Sequence, residues 1–286
     1  MNELDDPVAN PLGEGHFDIC SLGELLIDFT PAGIGPQGNP CFERNPGGAP
    51  ANVLACLARF GRSGAMIAKV GADMFGSYLV ELLGNLGIET RGISLDRETR
   101  TTLAFVHLDG AGDRSFSFYR NPGADIMLDP EDLDFSLIEH SRIFHCGSLS
   151  LTNEPAASAT WAALGKAAKS GCVISYDPNL RPALWNNLDV ARAKMTGPLG
   201  HTDILKISEE ELDFLTGTTI LPKGSALLWS EWNIPVILVT RGDKGVFYRI
   251  GSETGERPAY SGLDFLGVPP DRKARGNEVS VEPIDK

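Results

Sequence analysis

Short apolar runs alternate with segments of helical periodicity along most of the chain. The predicted strands are Phe17 to Phe29, Ala65 to Val70, Arg142 to Cys146, Val173 to Tyr176, Asp203 to Lys206 and Val236 to Thr240. The predicted helices are Pro50 to Phe60, Phe75 to Leu86, Pro155 to Lys169 and one that begins near Ser208. Because strands that alternate with helices form βα units, this pattern predicts an α/β fold with a mostly parallel sheet under helices.

Two segments depart from this alternation. Thr101 to Leu108 and Ser115 to Tyr119 are rich in β-forming residues and are joined by a glycine-containing turn, which predicts an antiparallel hairpin outside the main sheet. We expect this hairpin to form part of a small lid. The tail, residues 263–286, has few aromatic residues and many charges, so we expect it to be disordered.

The composition indicates one substantial core and argues against several kinds of partner. The chain has 286 residues, of which 42% are hydrophobic and 22% are charged. Its net charge of -13 argues against nucleic acid and anionic membranes as partners, because both bind clustered cations. The five cysteines form no CxxC pair, and no apolar run is long enough to cross a bilayer. Residues 1–16 form a polar leader without the features of a signal peptide, so we expect a cytoplasmic protein.

Three groups of residues could bind a small polar ligand. Asp28 ends the first predicted strand, and we expect it at the sheet edge where open α/β sheets bind ligands. The segment PGGAPAN contains Gly47, Gly48 and Asn52 and opens a helix; taken alone, it is more often an ordinary loop. After another strand, the segment DPNLR contains carboxylate, amide and guanidinium groups that suit hydroxyls and phosphates, although DPN is also a common turn.

Together these segments resemble one known family. The sequences GELLIDF, PGGAPANVLACLARFG, KVGADMFG, FVHLDGAGDRSFSFYRNPGAD, FHCGSLSL, SYDPNLRPALW, DILKISEEELDFLTG and VILVTRGDKGVFY occur in the order typical of pfkB (ribokinase-like) carbohydrate kinases, closest to fructokinases. The resemblance extends from about Phe17 to Tyr260. It implies a ribokinase-like three-layer α/β sandwich in residues 17–262, with a β lid that includes about residues 28–45 and 100–120.

The resemblance also implies roles for individual residues. Those expected to hold the sugar are Asp28, Gly47, Gly48, Asn52, Arg120 and Asp177. Those expected near the phosphates and ATP are Asn179, Arg181, Lys206, Ser208, Thr240, Gly242 and Gly245, with Glu211 at the metal. Ser208 stands where the family usually has Asn, so Glu211 is the firmer assignment. The implied cofactors are ATP, Mg²⁺ and a monovalent cation such as K⁺, and two chains could pair through the lid as a homodimer.

The sequence departs from the family pattern in one respect. The family's DTxGAGD segment begins a helix, where backbone amides form an anion hole and the last Asp is the base. GAGD occurs once here, at residues 110–113, between two β-type runs, so we interpret Asp113 as a turn residue rather than a base. We therefore interpret the chain as C-terminally truncated relative to the family and expect weak phosphate transfer. The cation site would also lie in the lacking segment.

Two functions remain open from the sequence. The first is an ATP-dependent kinase that converts D-fructose to D-fructose 6-phosphate, with Mg²⁺ at the phosphates. The second is a catalytically inactive protein that binds or senses sugar. Ribose, a nucleoside or 2-keto-3-deoxygluconate would use similar residue types. A Rossmann dehydrogenase is disfavoured because no GxGxxG follows the first strand.

Overall fold

The computed structural model describes residues 16–108 and 114–259. Within these ranges it has thirteen strands and seven α-helices. The strands are β1 (Phe17–Leu22), β2 (Leu26–Ile34), β3 (Pro40–Gly47), β4 (Gly64–Gly71), β5 (Ile93–Asp96), β6 (Leu103–Leu108), β7 (Arg114–Tyr119), β8 (Ser141–Gly147), β9 (Val173–Asp177), β10 (Ile204–Ser208), β11 (Val236–Thr240), β12 (Val246–Ile250) and β13 (Glu253–Arg257). The helices are α1 (Ala49–Arg59), α2 (Met74–Asn85), α3 (Phe135–Glu139), α4 (Ala156–Ser170), α5 (Leu188–Thr196), α6 (Glu209–Thr216) and α7 (Leu221–Trp232).

Nine of these strands form the main sheet, in the order β13-β12-β11-β10-β9-β8-β1-β4-β5. The seven strands from β11 to β5 in this order pair in parallel, and β12 and β13 add an antiparallel edge. Between one parallel strand and the next along the chain, at least one helical segment intervenes, as in right-handed βα units. The predicted α/β fold with a mostly parallel sheet is confirmed.

The two faces of the main sheet are buried in separate cores. On one face, Cys20, Ile67 and Phe144 pack with the helices α4, α6 and α7. On the other face, Ile19 and Met66 pack with the helices α1 and α2. Alternate residues of a strand point to opposite faces, which is why neighbours such as Ile19 and Cys20 belong to different cores. The result is three layers, with the sheet between helices.

Four further strands form a second sheet, in the order β3-β2-β6-β7, which we call the small sheet. Strands β6 and β7 are antiparallel, so the predicted hairpin outside the main sheet is confirmed. Ile27 and Phe29 of β2 pack into the same core as α1 and α2, so the small sheet is held against these two helices. The hairpin turn with Asp113, the polar leader up to residue 15 and the tail from residue 263 lie outside the described residues, and the domain boundaries stay a prediction.

The prediction of a single strand from Phe17 to Phe29 is wrong. The chain leaves the main sheet after Leu22 and enters the small sheet at Leu26, so Asp28 lies on β2 and not at the edge of the main sheet. The break is at Gly23, whose φ of 152° belongs to a region that favours glycine. The apolar pattern concealed this break because Leu25 and Ile27, which follow it, are as buried as the strand before it.

Among residues 16–108 and 114–259, no helix combines the length and the apolar character that a membrane crossing requires.

Candidate functional site

A cavity of about 150 Å³ lies between the small sheet and the edge of the main sheet, and we call it the inner cavity. Its polar lining comes from Glu24, Asp28, Asn52, Asn179 and Arg181, together with the backbone of Gly48 and Ala49. Its apolar lining comes from Leu26, Phe116, Phe118 and Leu149. Five segments that are distant in sequence therefore meet here: β2 with the turn before it, the start of α1, β7, the segment after β8 and the loop after β9.

The glycine pair permits this close meeting. Gly48 precedes α1 with φ of 111°, a conformation that side chains disfavour. A Cβ atom at Gly48 would also collide with the carbonyl oxygen of Glu24, and one at Gly47 would collide with the Asp28 carboxylate. The pair therefore lets the N-terminus of α1 approach the backbone of Glu24 and the carboxylate of Asp28. Of the predicted sugar residues, Asp28, Gly48 and Asn52 line the inner cavity, and Gly47 adjoins Asp28.

Asp28 is the carboxylate on β2, opposite Asn45 of β3. Burial raises the pKa of Asp28 above its usual value, and the positive charge of Arg181 partly offsets this rise. Arg181 also lines the inner cavity, so an acceptor and a cation face the same space. Such a pair can recognise a neutral, hydroxylated ring, because hydroxyl groups both donate and accept hydrogen bonds.

A second cavity, of about 460 Å³, adjoins the first, and we call it the outer cavity. Asn179 and Arg181 line both cavities. The outer cavity is also lined by Lys206, Ser208, Glu210 and Glu211. Arg181 and Lys206 supply cations that suit phosphate oxygens, and they lie beside two glutamates. The structure thus brings four of the residues predicted near the phosphates, and the predicted metal residue, to one space beside the inner cavity.

Glu211 holds the loop between the two cavities. Its carboxylate accepts the backbone N–H of Leu180 at 2.6 Å and that of Ser208 at 2.8 Å. The Ser208 hydroxyl accepts the N–H of Glu211 in return, which completes a capping box at the start of α6. Both oxygens of Glu211 are therefore engaged by backbone amides. Its predicted metal role stays a prediction.

Asp177 lies at the end of β9 and does not line either cavity. Its Oδ2 accepts a hydrogen bond from Lys206 at 3.0 Å. Its Oδ1 is buried without a hydrogen-bond partner among the described residues. A buried acceptor without a donor is costly, so this oxygen is available to a ligand hydroxyl that enters beside Lys206.

Arg120 does not line the inner cavity. Its guanidinium group is bound to Asp125 at 2.7 Å, to the Thr152 hydroxyl at 3.0 Å and to the carbonyl of Leu149 at 3.0 Å. Asp125 also accepts the hydroxyl of Thr102, which begins the hairpin that Arg120 ends. The pair therefore joins the two ends of the hairpin, and contact of Arg120 with sugar stays a prediction.

The nucleotide-side residues Thr240, Gly242 and Gly245 lie at the end of β11, outside the lining of both cavities. Thr240 pairs in register with Ser208, and its hydroxyl donates to the carbonyl of Ile207. Gly242 and Gly245 have φ values of 57° and 91°, and they form the turn that leads into β12. The turn is therefore one strand further from Asp177 than Ser208 is.

One residue of the inner cavity was missed from the sequence. Glu24 is only 4% exposed and lies in the turn from β1 to β2. Burial is the main reason that its pKa rises from 4.5 to about 7. The signal that could have revealed it is a single charged residue inside the apolar run from Leu22 to Ile27, because such residues are rarely buried without a partner.

A larger cavity, of about 680 Å³, lies at the opposite end of the parallel strands. It is lined by residues such as Ile19, Ile143, Val173 and Ile204, at or near the amino ends of their strands. Ligands of open α/β sheets bind at the carboxyl ends, where the polar side chains converge. We therefore place the functional site at the inner and outer cavities.

Comparison with known proteins identifies relatives of this chain by sequence and by fold. The model of the pfkB family of carbohydrate kinases matches residues 16–262. A probable fructokinase-3 of Arabidopsis thaliana is 43% identical over 244 residues, which cover 84% of this chain and 70% of that protein. A fructokinase with bound ATP from Xylella fastidiosa superimposes with a TM-score of 0.76 at 35% identity, covering 85% of this chain and 74% of that one.

A third similar protein was solved with sugar. It is a fructokinase double mutant from Vibrio cholerae in a fructose, ADP and potassium ion bound form, with a TM-score of 0.77 and 31% identity. The superposition covers 87% of this chain and 79% of that one. The match of fold and sequence is extensive, and the chain belongs to the pfkB family of carbohydrate kinases.

Proposed function

We propose that this chain is a fructokinase-type kinase that binds D-fructose in the inner cavity and the phosphates of ATP in the outer cavity. The observation that carries the proposal is that Asn179 and Arg181 line both cavities. A sugar hydroxyl in one cavity and a phosphate in the other would therefore meet beside the same two side chains. Phosphate transfer depends mainly on such positioning and on neutralising charge.

The sugar would be held by groups that match hydroxyls. Asp28 can accept hydrogen bonds from hydroxyls, and Asn52 can both accept and donate them. Phe116 and Phe118 of β7 would cover the apolar C–H face of the ring, because they line the same cavity from the small sheet. Fructose is preferred over ribose, a nucleoside or 2-keto-3-deoxygluconate because the relatives and structures compared above are named fructokinases.

The phosphates would be held by charge. Arg181 and Lys206 would neutralise phosphate oxygens. Mg²⁺ fits this cavity, because it takes oxygen ligands and is commonly bound through one or two carboxylates plus phosphates, and Glu210 and Glu211 supply carboxylates here. When bound, Mg²⁺ would lower the charge on the transferred phosphate. We assign no residue of this chain to the monovalent cation.

A second candidate is a sugar-binding protein that transfers no phosphate. The observation behind it is that GAGD occurs once, at residues 110–113, in the connection between the antiparallel strands β6 and β7. No residue of this chain is thus assigned as the base. Pairing through the small sheet and a cytoplasmic location are parts of the proposal that stay predictions.

Calorimetry and a coupled ATP assay on the same preparation separate these candidates. A fructokinase binds fructose and releases ADP in its presence, and the Asp28→Asn variant loses fructose affinity by at least about tenfold. Binding of fructose without ADP release supports the second candidate. A folded chain that binds no fructose in calorimetry contradicts both.

A further inference from the structure

Glu24 occupies the turn where the chain passes from the main sheet to the small sheet. Its side chain reaches the start of α1, where Oε1 accepts the N–H of Ala49 at 2.9 Å. The residue is 4% exposed and lines the inner cavity with Asp28. The hydrogen bond from Ala49 thus fixes Oε1 at the start of α1, and the residue that carries the carboxylate lines the inner cavity.

The cost of this arrangement suggests that the carboxylate has a use beyond capping α1. A buried carboxylate is costly even when backbone amides bind it, and burial raises the pKa of Glu24 to about 7 although the N–H groups of Ala49 and of Glu24 itself lower it. The positive end of α1 offsets only part of this cost. Structural capping of Ala49 requires an acceptor but no charge, because an uncharged amide side chain would serve as well.

The charged groups near Glu24 indicate that an occupant of the inner cavity is a further partner of its carboxylate. Asp125 raises the pKa of Glu24 and Arg120 lowers it, but these two side chains are already bound to each other. Asp28 and Arg181 belong to the lining of the inner cavity itself. The space beside Glu24 is therefore the inner cavity, and an occupant of that cavity is the partner that can reach Oε2.

We propose that Glu24 is a specificity-determining residue of the sugar site, whose Oε2 accepts a hydrogen bond from one hydroxyl of the bound sugar. This inference rests on the proposed function and deepens it. A site built to bind a hydroxyl discriminates strongly against an analogue that lacks it, because the site's buried polar group is then left unpaired. Glu24 would thus recognise one ring position, while Asp28 binds hydroxyls on the side of β2.

The test combines one variant with a set of deoxy sugars. Glu24→Gln keeps an acceptor for Ala49 and removes the charge. The matched control is Asp18→Asn, on β1 at the opposite end of the sheet. Calorimetry would measure the affinity of wild type and both variants for fructose and for fructose analogues that each lack one hydroxyl. Thermal unfolding would verify that each variant is folded.

The inference predicts that the loss of affinity in Glu24→Gln differs from one sugar to another. Glu24→Gln should weaken fructose binding by about tenfold, and this loss should vanish for one deoxyfructose, while Asp18→Asn binds every sugar as wild type does. An equal loss for all the sugars, or no loss, overturns the inference. If wild type binds fructose, these outcomes leave the proposed function intact. A folded wild type that binds no sugar of the set contradicts both.

A second measurement needs no variant and covers the case in which Glu24→Gln does not fold. The charged carboxylate is the better acceptor, so wild-type affinity for fructose should rise as the pH increases through the pKa of Glu24. Affinity for the deoxyfructose that lacks the recognised hydroxyl should rise less over the same range, because Asp28, whose pKa burial also raises, still binds its hydroxyls but Glu24 does not. A flat profile for fructose, or the same slope for every sugar, overturns the inference.

Discussion

The carboxylate of Glu211 accepts the backbone N–H of Leu180 across a distance of 2.6 Å. This bond links the start of α6 to the loop after β9, where Asn179 adopts a left-handed φ of 50°. Asn179 and Arg181 on either side of Leu180 line both cavities. The position of the two residues shared by the cavities therefore depends on a carboxylate that begins a different helix.

Replacing Glu211 should loosen this loop and lower stability. Glu211→Ala leaves two backbone amides without their acceptor, so we expect a loss of about 2 to 4 kcal/mol in the free energy of unfolding. Ser208→Ala is the control, because it removes only the reciprocal bond and should cost about 1 kcal/mol. Urea denaturation of the three proteins measures both values, and equal losses in the two variants would argue against this role.

The pair of Arg120 and Asp125 should be essential to the small sheet. Both side chains are nearly fully buried, at 5% and 1% exposure, and they join the two ends of the hairpin. Asp125→Asn leaves a buried guanidinium without its counter-ion, and we expect a loss of about 3 to 5 kcal/mol in the free energy of unfolding.

Hydrogen exchange would locate this effect. Amides of β6 and β7 should lose protection in Asp125→Asn before those of β8 do, because the hairpin ends are what the pair secures. The control is Asp132→Asn, which weakens the more exposed pair of Asp132 with Lys69. Uniform loss of protection across both sheets would contradict a local role for the pair.

The sequence predicted the main sheet well because its strands are continuous apolar runs with helical segments between them. Strands β4, β8 and β11 were found within about two residues at each end. It failed at Gly23, since residues on both sides of the break are buried, and pattern alone does not show which sheet buries them. Short strands such as β5, with four residues, carry too little periodicity to be recognised.

The candidate site was predictable to the extent that its residues occur in family motifs. Asp28, Asn52, Asn179 and Arg181 were predicted from such motifs, and all line the inner cavity. The placement of the other side chains near the site depends on tertiary contacts, which a sequence pattern does not show. The carboxylate of Asp125 engages Arg120, and the placement of the Glu24 carboxylate depends on where α1 begins relative to a turn that lies 25 residues earlier in the chain.

Gly48 should not tolerate a side chain. Gly48→Ala places a methyl group against the carbonyl of Glu24 in a conformation with φ of 111°, so either the turn or the start of α1 must move. We expect a loss of about 2 kcal/mol or more in stability, together with weaker fructose binding.

The control for this change is Gly84→Ala, within helix α2. A Cβ atom there meets no other group within 4 Å, so the substitution should stabilise the chain by up to about 1 kcal/mol through helix propensity. Thermal unfolding compares the two alanine variants. Similar stabilities for both would show that the approach of α1 to Glu24 is not tight.

Glu24 should make stability depend on pH. Its pKa is raised from 4.5 to about 7 on folding, so between these values the folded chain holds a proton that the unfolded chain has released. The free energy of unfolding therefore falls as the pH rises through this window. Glu24→Gln removes this dependence, and its stability relative to wild type should increase by about 3 kcal/mol from about pH 4.5 to about pH 7.5.

Urea denaturation of wild type and Glu24→Gln at several pH values measures this difference. Gly84→Ala serves as the control, because it changes no titratable group, and its stability relative to wild type should be the same at every pH. A constant difference between Glu24→Gln and wild type would mean that folding does not shift the pKa of Glu24.

The most direct test of the central claim is a crystal structure of this chain with fructose. The account predicts density for one sugar in the inner cavity, with a hydroxyl within hydrogen-bond distance of Asp28 and the ring beside Phe116 and Phe118. Fructose bound in the larger cavity at the opposite end of the strands, or anywhere that leaves Asp28 and Asn52 without contact, would contradict it.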